Sequence, residues 1–88
     1  MVITRQIVAD RISAYLQGRL ELAVLISWAE EAMRDGEFEE ADFNTIREVV
    51  ARLGVADVAA FGLTWEAAVE MLSRLGYRAQ VQVQALRA

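Results

Sequence analysis

The feature that most restricts how this chain can fold is the run from Leu20 to Met33, Leu-Glu-Leu-Ala-Val-Leu-Ile-Ser-Trp-Ala-Glu-Glu-Ala-Met. It holds no Gly, Pro or Asn, so nothing in it interrupts a helix. Leu22, Ile26, Ala29 and Met33 form a helical stripe, and Leu20, Ala23, Val24, Leu25, Trp28 and Ala32 fill most of the remaining circumference. A helix that is apolar nearly all round is a buried one. Its 14 residues fall short of the ~20 that cross a bilayer. The run therefore predicts the central helix of a small bundle, which the other segments must cover.

The chain has 88 residues, enough for one domain. At 9.8 kDa it buries roughly 9,000 Å² on folding, which supports one modest core. Hydrophobic residues make up 56% of it and the mean hydropathy is positive, which excludes a disordered tail. So much apolar surface also favours a homodimer or an obligate partner.

Missing residue types exclude several chemistries. There is no cysteine, hence no disulfide, thiolate nucleophile or cysteine-based metal site. There is no histidine, the commonest general base and zinc ligand. All nine basic residues are Arg, so neither a Schiff-base lysine nor the lysine of a phosphate-binding P-loop is available. Met-Val-Ile-Thr-Arg at the start has no signal-peptide pattern, and a cytoplasmic location is expected.

The net charge is −4 and unevenly placed. Residues 1–27 hold three Arg against two acids, and residues 49–88 hold four Arg against three acids. Residues 28–48 hold eight acids, Glu30, Glu31, Asp35, Glu37, Glu39, Glu40, Asp42 and Glu48, against Arg34 and Arg47. Tight nucleic-acid binding comes mainly from neutralising phosphates, so this balance argues against it.

Taken in order, the sequence predicts helices at about 4–17, 20–34, 42–53, 55–61 and 64–75 and a strand at about 77–85. Thr4 and Thr64 are the N-caps, with Glu66 in the last helix's first turn. Gly18, Gly36, Gly54, Gly62 and Gly76 are the stops. Inner faces are expected from Val8, Ile12, Tyr15 and Leu16, from Phe43, Ile46, Val49, Val50 and Leu53, from Val58 and Phe61, and from Trp65, Ala68, Val69, Leu72 and Leu75. Residues 37–42 read as a loop or an early helix start. From Tyr77 to Ala85 polar and apolar residues alternate strictly, the period of a half-buried strand. A strand cannot satisfy its own backbone. The segment Met1–Thr4 could pair with it but is very short. The same strand of a second copy, antiparallel about a two-fold axis, is the better solution.

Asp35-Gly36-Glu37-Phe38 followed by Asp42-Phe43 has the look of the second half of an EF-hand loop. The ligand positions fail: Met33 offers no oxygen, and Asp42 stands where a bidentate Glu belongs. Glu30 and Glu31, like Glu39 and Glu40, are adjacent, and neighbours on a helix point about 100° apart. Neither pair converges for acid–base work. No catalytic residue, metal ligand or cofactor site is assigned, and the chain is read as a non-enzyme. The acidic stretch Glu30, Glu31, Asp35, Glu37, Glu39, Glu40 and Asp42 is either a solvated face or a docking surface for a basic protein that imitates a nucleic-acid backbone. Trp28 beside it is either core or an aromatic anchor.

The segment Leu63-Thr64-Trp65 … Met71-Leu72-Ser73-Arg74-Leu75-Gly76-Tyr77-Arg78-Ala79-Gln80-Val81-Gln82-Val83 resembles the end of small helix-turn-helix antitoxins. There a final helix closes on Leu-Gly-Tyr and runs into a dimerising strand. The resemblance covers about a quarter of the chain and implies a mode of dimerisation, through Tyr77, Ala79, Val81, Val83 and Ala85, rather than DNA binding. Residues 15–20, Tyr-Leu-Gln-Gly-Arg-Leu, are loosely similar to small helical bacteriocin immunity proteins. Val49-Val50-Ala51-Arg52-Leu53-Gly54-Val55 looks like the first helix and turn of a helix-turn-helix unit, but the would-be recognition segment Ala56–Phe61 carries Asp57 and no basic or amide side chain to read a base edge.

The sequence thus predicts a mostly all-α, compact four- to five-helix bundle with one C-terminal strand paired across a homodimer. The expected function is that of a small bacterial interaction protein, toxin-neutralising or regulatory, acting through its acidic surface on a basic protein partner. The alternative is a helix-turn-helix transcriptional regulator.

Overall fold

The computed structural model of the chain describes residues 1–56, 63–81, 83 and 85. In chain order these form β1 (Val2–Ile3), α1 (Arg5–Leu16), α2 (Leu22–Asp35), β2 (Glu37–Phe38), a 3₁₀ turn (Glu40–Asp42), α3 (Phe43–Leu53) and α4 (Trp65–Arg74). Four α-helices and a two-stranded parallel sheet make up the described architecture.

Local chemistry sets the helix ends. The Thr4 hydroxyl accepts from the Ile7 N–H, and the Thr64 hydroxyl from the Ala67 N–H, each at 3.1 Å. These bonds satisfy donors that the first turn leaves free. At the far end of α1, the Arg19 N–H donates to the Ala14 carbonyl and the Gly18 N–H to the Tyr15 carbonyl. At the far end of α4, the Tyr77 N–H donates to the Leu72 carbonyl and the Gly76 N–H to the Ser73 carbonyl. Both are Schellman closures, which require a left-handed residue. Gly18 and Gly76 supply it, with φ of 76° and 93°.

The second helix departs from the sequence expectation. It begins at Leu22 rather than Leu20. It is also not enclosed all round. Leu25, Ile26, Ala29 and Ala32 are buried, whereas Ala23 is exposed and Val24 is 48% exposed. The buried positions fall on one arc of the 3.6-residue period, the side turned toward α1 and α3. Helices α1 and α3 cover one face of α2 and leave its back to solvent.

Strand pairing also differs. Residues 37–42 were expected to be a loop or a helix start. Instead Glu37–Phe38 pairs in parallel with Val2–Ile3, Val2 opposite Glu37 and Ile3 opposite Phe38. The Glu37 N–H donates to the Met1 carbonyl and the Glu39 N–H to the Ile3 carbonyl, both at 2.9 Å. Gly36 permits this close approach. A Cβ there would lie 2.7 Å from the Ala32 carbonyl oxygen and 3.0 Å from Ile3 Cγ1.

The expected strand at 77–85 is not formed among the described residues. None of residues 77–81, 83 and 85 belongs to a strand. The short N-terminal segment that could have partnered it is occupied by β2, and alternation alone supplies no ladder. Of the expected helix 55–61, Val55 and Ala56 lie in a turn. The rest of it, with Val58 and Phe61, lies outside the described residues, as does most of the would-be recognition segment.

One core gathers the elements. Ile3, Val8, Ile12, Leu25, Ile46, Val49, Val50, Leu53 and Leu75 are its largest fully buried side chains. The most extensive helix pair is α2 with α3. Helix α1 runs antiparallel to α4: Arg5 Nη1 donates to the Leu75 carbonyl at 3.2 Å, and Leu16 and Trp65 line a common groove at the other end. On the solvent side, α3 and α4 are bridged by Arg52–Glu70, at 3.4 Å, and by Arg74–Glu48. Exposed pairs of this kind add about 0–1 kcal/mol each, so they fix the register of the two helices more than their stability. Trp65 and Phe43, expected on inner faces, are each 44% exposed. Each is the first residue of its helix, where the ring projects past the end of the packed face. Phe43 is met there edge-on by Phe38, with ring centroids 5.8 Å apart.

Candidate protein-binding surface

The acidic stretch occupies the second half of α2, β2 and the 3₁₀ turn. Glu30 and Glu31 are both exposed. As adjacent helical residues they diverge, and the Glu30 stem lies toward α3, close to Gly54. Asp35 ends α2 and is paired with Arg34, Nε to Oδ2 at 3.4 Å. Glu37 and Glu40 are exposed and Glu39 is half-buried. The half-buried Asp42 meets Arg5 Nε at 3.2 Å. Five of the seven acids, Glu30, Glu31, Glu37, Glu39 and Glu40, have no ion-pair partner among the described residues.

These groups form a distributed negative surface rather than a pocket. Among the described residues no three acids come together as a metal-ligand set. The EF-hand likeness dissolves for a concrete reason. Helix α2 runs through Asp35, and β2 then straightens the segment in which a calcium loop would have to wrap round its ion.

Arg5 was not singled out by the sequence. Its guanidinium touches the carboxylate of Asp42 in the 3₁₀ turn and the carbonyl of Leu75, which caps α4, at once. A cation is favourable at the C-terminal end of a helix dipole. Its position after Thr4, the cap of α1, makes it look like a solvent-facing first-turn residue. Only the tertiary arrangement brings Leu75 and Asp42 to it.

Trp28 packs against the core and is half-buried. The Arg11 guanidinium covers its ring at 5.2 Å from the centroid, a cation–π contact. Its indole N–H is buried and has no acceptor among the described residues. With one face on the core and the other under Arg11, Trp28 belongs to the body of the protein rather than to the acidic face.

The residues expected to dimerise follow a gradient. Tyr77 is partly exposed, Ala79 is half-buried against the core, Val81 is 68% exposed, Val83 is 92% exposed and Ala85 is exposed. Where the tail leaves α4 it borders an open groove of about 770 Å³ between α1 and α4. Ala9, Asp10, Ser13, Leu16 and Gln17 line one side, Trp65 and Leu72 the other, and residues 77–81 the third. Nothing in the residue pattern marks this groove. An exposed Trp at the head of α4 was the available signal, but its helical spacing placed it on the inner face.

Among the described residues no helix is long and apolar enough to cross a membrane. Comparison of the chain with protein-family models, with characterised proteins and with solved structures finds no match in any of the three.

Proposed function

We propose that this chain is a non-catalytic protein–protein interaction module, toxin-neutralising or regulatory, which dimerises through its tail and engages a basic partner through Glu30–Asp42. The observation that carries the reading is the set of five acids on one continuous segment that have no ion-pair partner among the described residues. Surface carboxylates of one sign raise the local potential and steer a basic partner into encounter. The tail adds support. Val81 and Val83 leave the body with their side chains in water, as a segment awaiting a partner does, and the tail's sequence resembles the closing helix and strand of small helix-turn-helix antitoxins.

The test is binding to a basic nuclease or ribosome-directed toxin encoded beside this chain. A complex that protects the toxin's target, and that weakens steeply between 50 and 300 mM salt, as surface charge pairing does on the order of a Debye length of 10 Å, is the expected result. A gel shift on random-sequence DNA is expected to be blank. A salt-sensitive shift of DNA would overturn the reading in favour of a nucleic-acid-binding regulator.

A further inference from the structure

We infer that Arg5 is a clasp between the acidic face and the root of the tail, so that a cation which takes Asp42 from it loosens the residues just after α4. The inference rests on the proposed docking of a basic partner at Glu30–Asp42 and names what that docking changes elsewhere in the chain. Three contacts carry it. Arg5 Nε lies 3.2 Å from Asp42 Oδ2. Arg5 Nη1 donates to the Leu75 carbonyl at 3.2 Å. The same Nη1 sits against Gly76, where a Cβ would come within 2.8 Å of it. One guanidinium thus spans the 3₁₀ turn and the closing turn of α4. Its donors form a rigid fork, so the bond at Nε aims the one at Nη1. An Arg5 that loses Asp42 loses the group that points it at Leu75.

The clasp is placed to open without unfolding the body. The Arg5 and Asp42 side chains are 47% and 41% exposed, so a competing cation reaches them, and a pair so exposed is weak. Of the seven acids in the stretch, Asp42 alone is paired with a cation from another element among the described residues. A partner's cations meet Glu30, Glu31, Glu37, Glu39 and Glu40 without exchange, and meet Asp42 in competition with Arg5. On the other side of the clasp, Leu75 is fully buried and Ala79 packs on the core. Between these two anchors Gly76, Tyr77 and Arg78 are exposed. Freedom gained on release therefore falls on that short link, whose remaining ties are the bonds from the Gly76 N–H to the Ser73 carbonyl and from the Tyr77 N–H to the Leu72 carbonyl. Docking on one surface is in this way felt at the start of the other through a contiguous chain of contacts.

The experiment is backbone NMR relaxation on the full chain, with hexa-arginine as the probe at about 0.01 M salt, where charges act over roughly 30 Å. The unmodified chain is compared with Arg5→Gln and Asp42→Asn. Amide shifts of Glu30, Glu31, Glu37 and Glu40 report docking, the Arg5 Nε–H signal reports the clasp, and order parameters report the link. In both variants Gly76 and Tyr77 are expected to fall from the roughly 0.85 of rigid backbone toward the 0.6 below which a segment is flexible. Val49 and Val50, fully buried on α3, are expected to keep theirs. Hexa-arginine on the unmodified chain is expected to shift the acidic amides and the Arg5 signal and to loosen Gly76 and Tyr77 in the same way. On Asp42→Asn it is expected to shift the acidic amides and loosen nothing further. A probe that shifts the acidic amides of the unmodified chain while Gly76 and Tyr77 stay rigid overturns the clasp and leaves the docking reading standing. Rigid Gly76 and Tyr77 in both variants overturn it as well. A probe that moves none of the acidic amides overturns the docking reading and the clasp together.

Discussion

Two glycines that read alike as letters do opposite work at the scale of single residues. Gly36 has ordinary extended backbone, yet a Cβ there would collide with the Ala32 carbonyl oxygen at 2.7 Å. Gly54 is helical, and a Cβ there would meet nothing nearer than 3.5 Å. Gly36→Ala is therefore expected to destabilise the chain by about 1–3 kcal/mol, the range for forcing extra volume into a packed site. Gly54→Ala is expected to be neutral or to stabilise by about 0.4–1 kcal/mol by restricting the unfolded chain. Urea titration of the two variants checks the pair, and equal effects would contradict the account. Both positions read as helix stops in the sequence, and both are. What the sequence does not carry is the reason, since the approach of Ile3 to residue 36 belongs to tertiary structure. Gly18 and Gly76 were legible in full because a Schellman closure is local: it depends on the last turn and on one left-handed residue.

Elements were legible to the degree that they carry a period. The stripe Ile46, Val49, Val50 and Leu53 lies in the core as its spacing requires. So do Val8 and Ile12 of α1 and Ala68, Leu72 and Leu75 at α4. The excess of apolar residues on α2 misled, because hydrophobicity all round a helix states what it would gain from cover, not how many neighbours exist to cover it. Two-residue strands have no period to detect, which is why β1 and β2 were missed. The tail has a perfect period of two, yet none of its described residues belongs to a strand, because alternation describes faces and a ladder requires a partner. The N-terminal strand yields a prediction. Ile3 is fully buried and Val2 is 53% exposed. Ile3→Ala is expected to cost about 2–5 kcal/mol, and Val2→Ala within about 0.5 kcal/mol of nothing. Thermal unfolding of both variants measures the difference, and a similar loss from each would mean that the β1–β2 pair does not anchor the start of the chain. At the tail, Val81→Asp with Val83→Asp is expected to leave helicity unchanged and to abolish the dimer in sedimentation. A persistent dimer would place the contact elsewhere.

At the scale of the whole molecule, the charge asymmetry visible in the sequence divides into two parts. Some acids are absorbed by the fold: Asp42 by Arg5, Glu48 by Arg74 and Glu70 by Arg52. Others have no ion-pair partner among the described residues, chiefly Glu30, Glu31, Glu37 and Glu40. The candidate surface was therefore legible as a stretch of sequence but not as a set of residues, because which carboxylates the fold neutralises depends on arginines 26 or more positions away in two of those cases. The tail supplies a second surface of different chemistry, apolar and bordering the α1–α4 groove. In the proposed assembly two copies present their acids together, and doubling the sites raises avidity without new contacts.

The most direct measurement of the central claim is affinity capture of basic proteins on the unmodified chain against a variant with Glu30, Glu31, Glu37 and Glu40 replaced by Gln. All four are exposed, so each replacement is expected to change stability by no more than about 0.5 kcal/mol. The account predicts a basic protein held by the unmodified chain, released by salt and lost from the amide variant while helicity and dimer mass are unchanged. The same protein retained by both chains with equal affinity would contradict it.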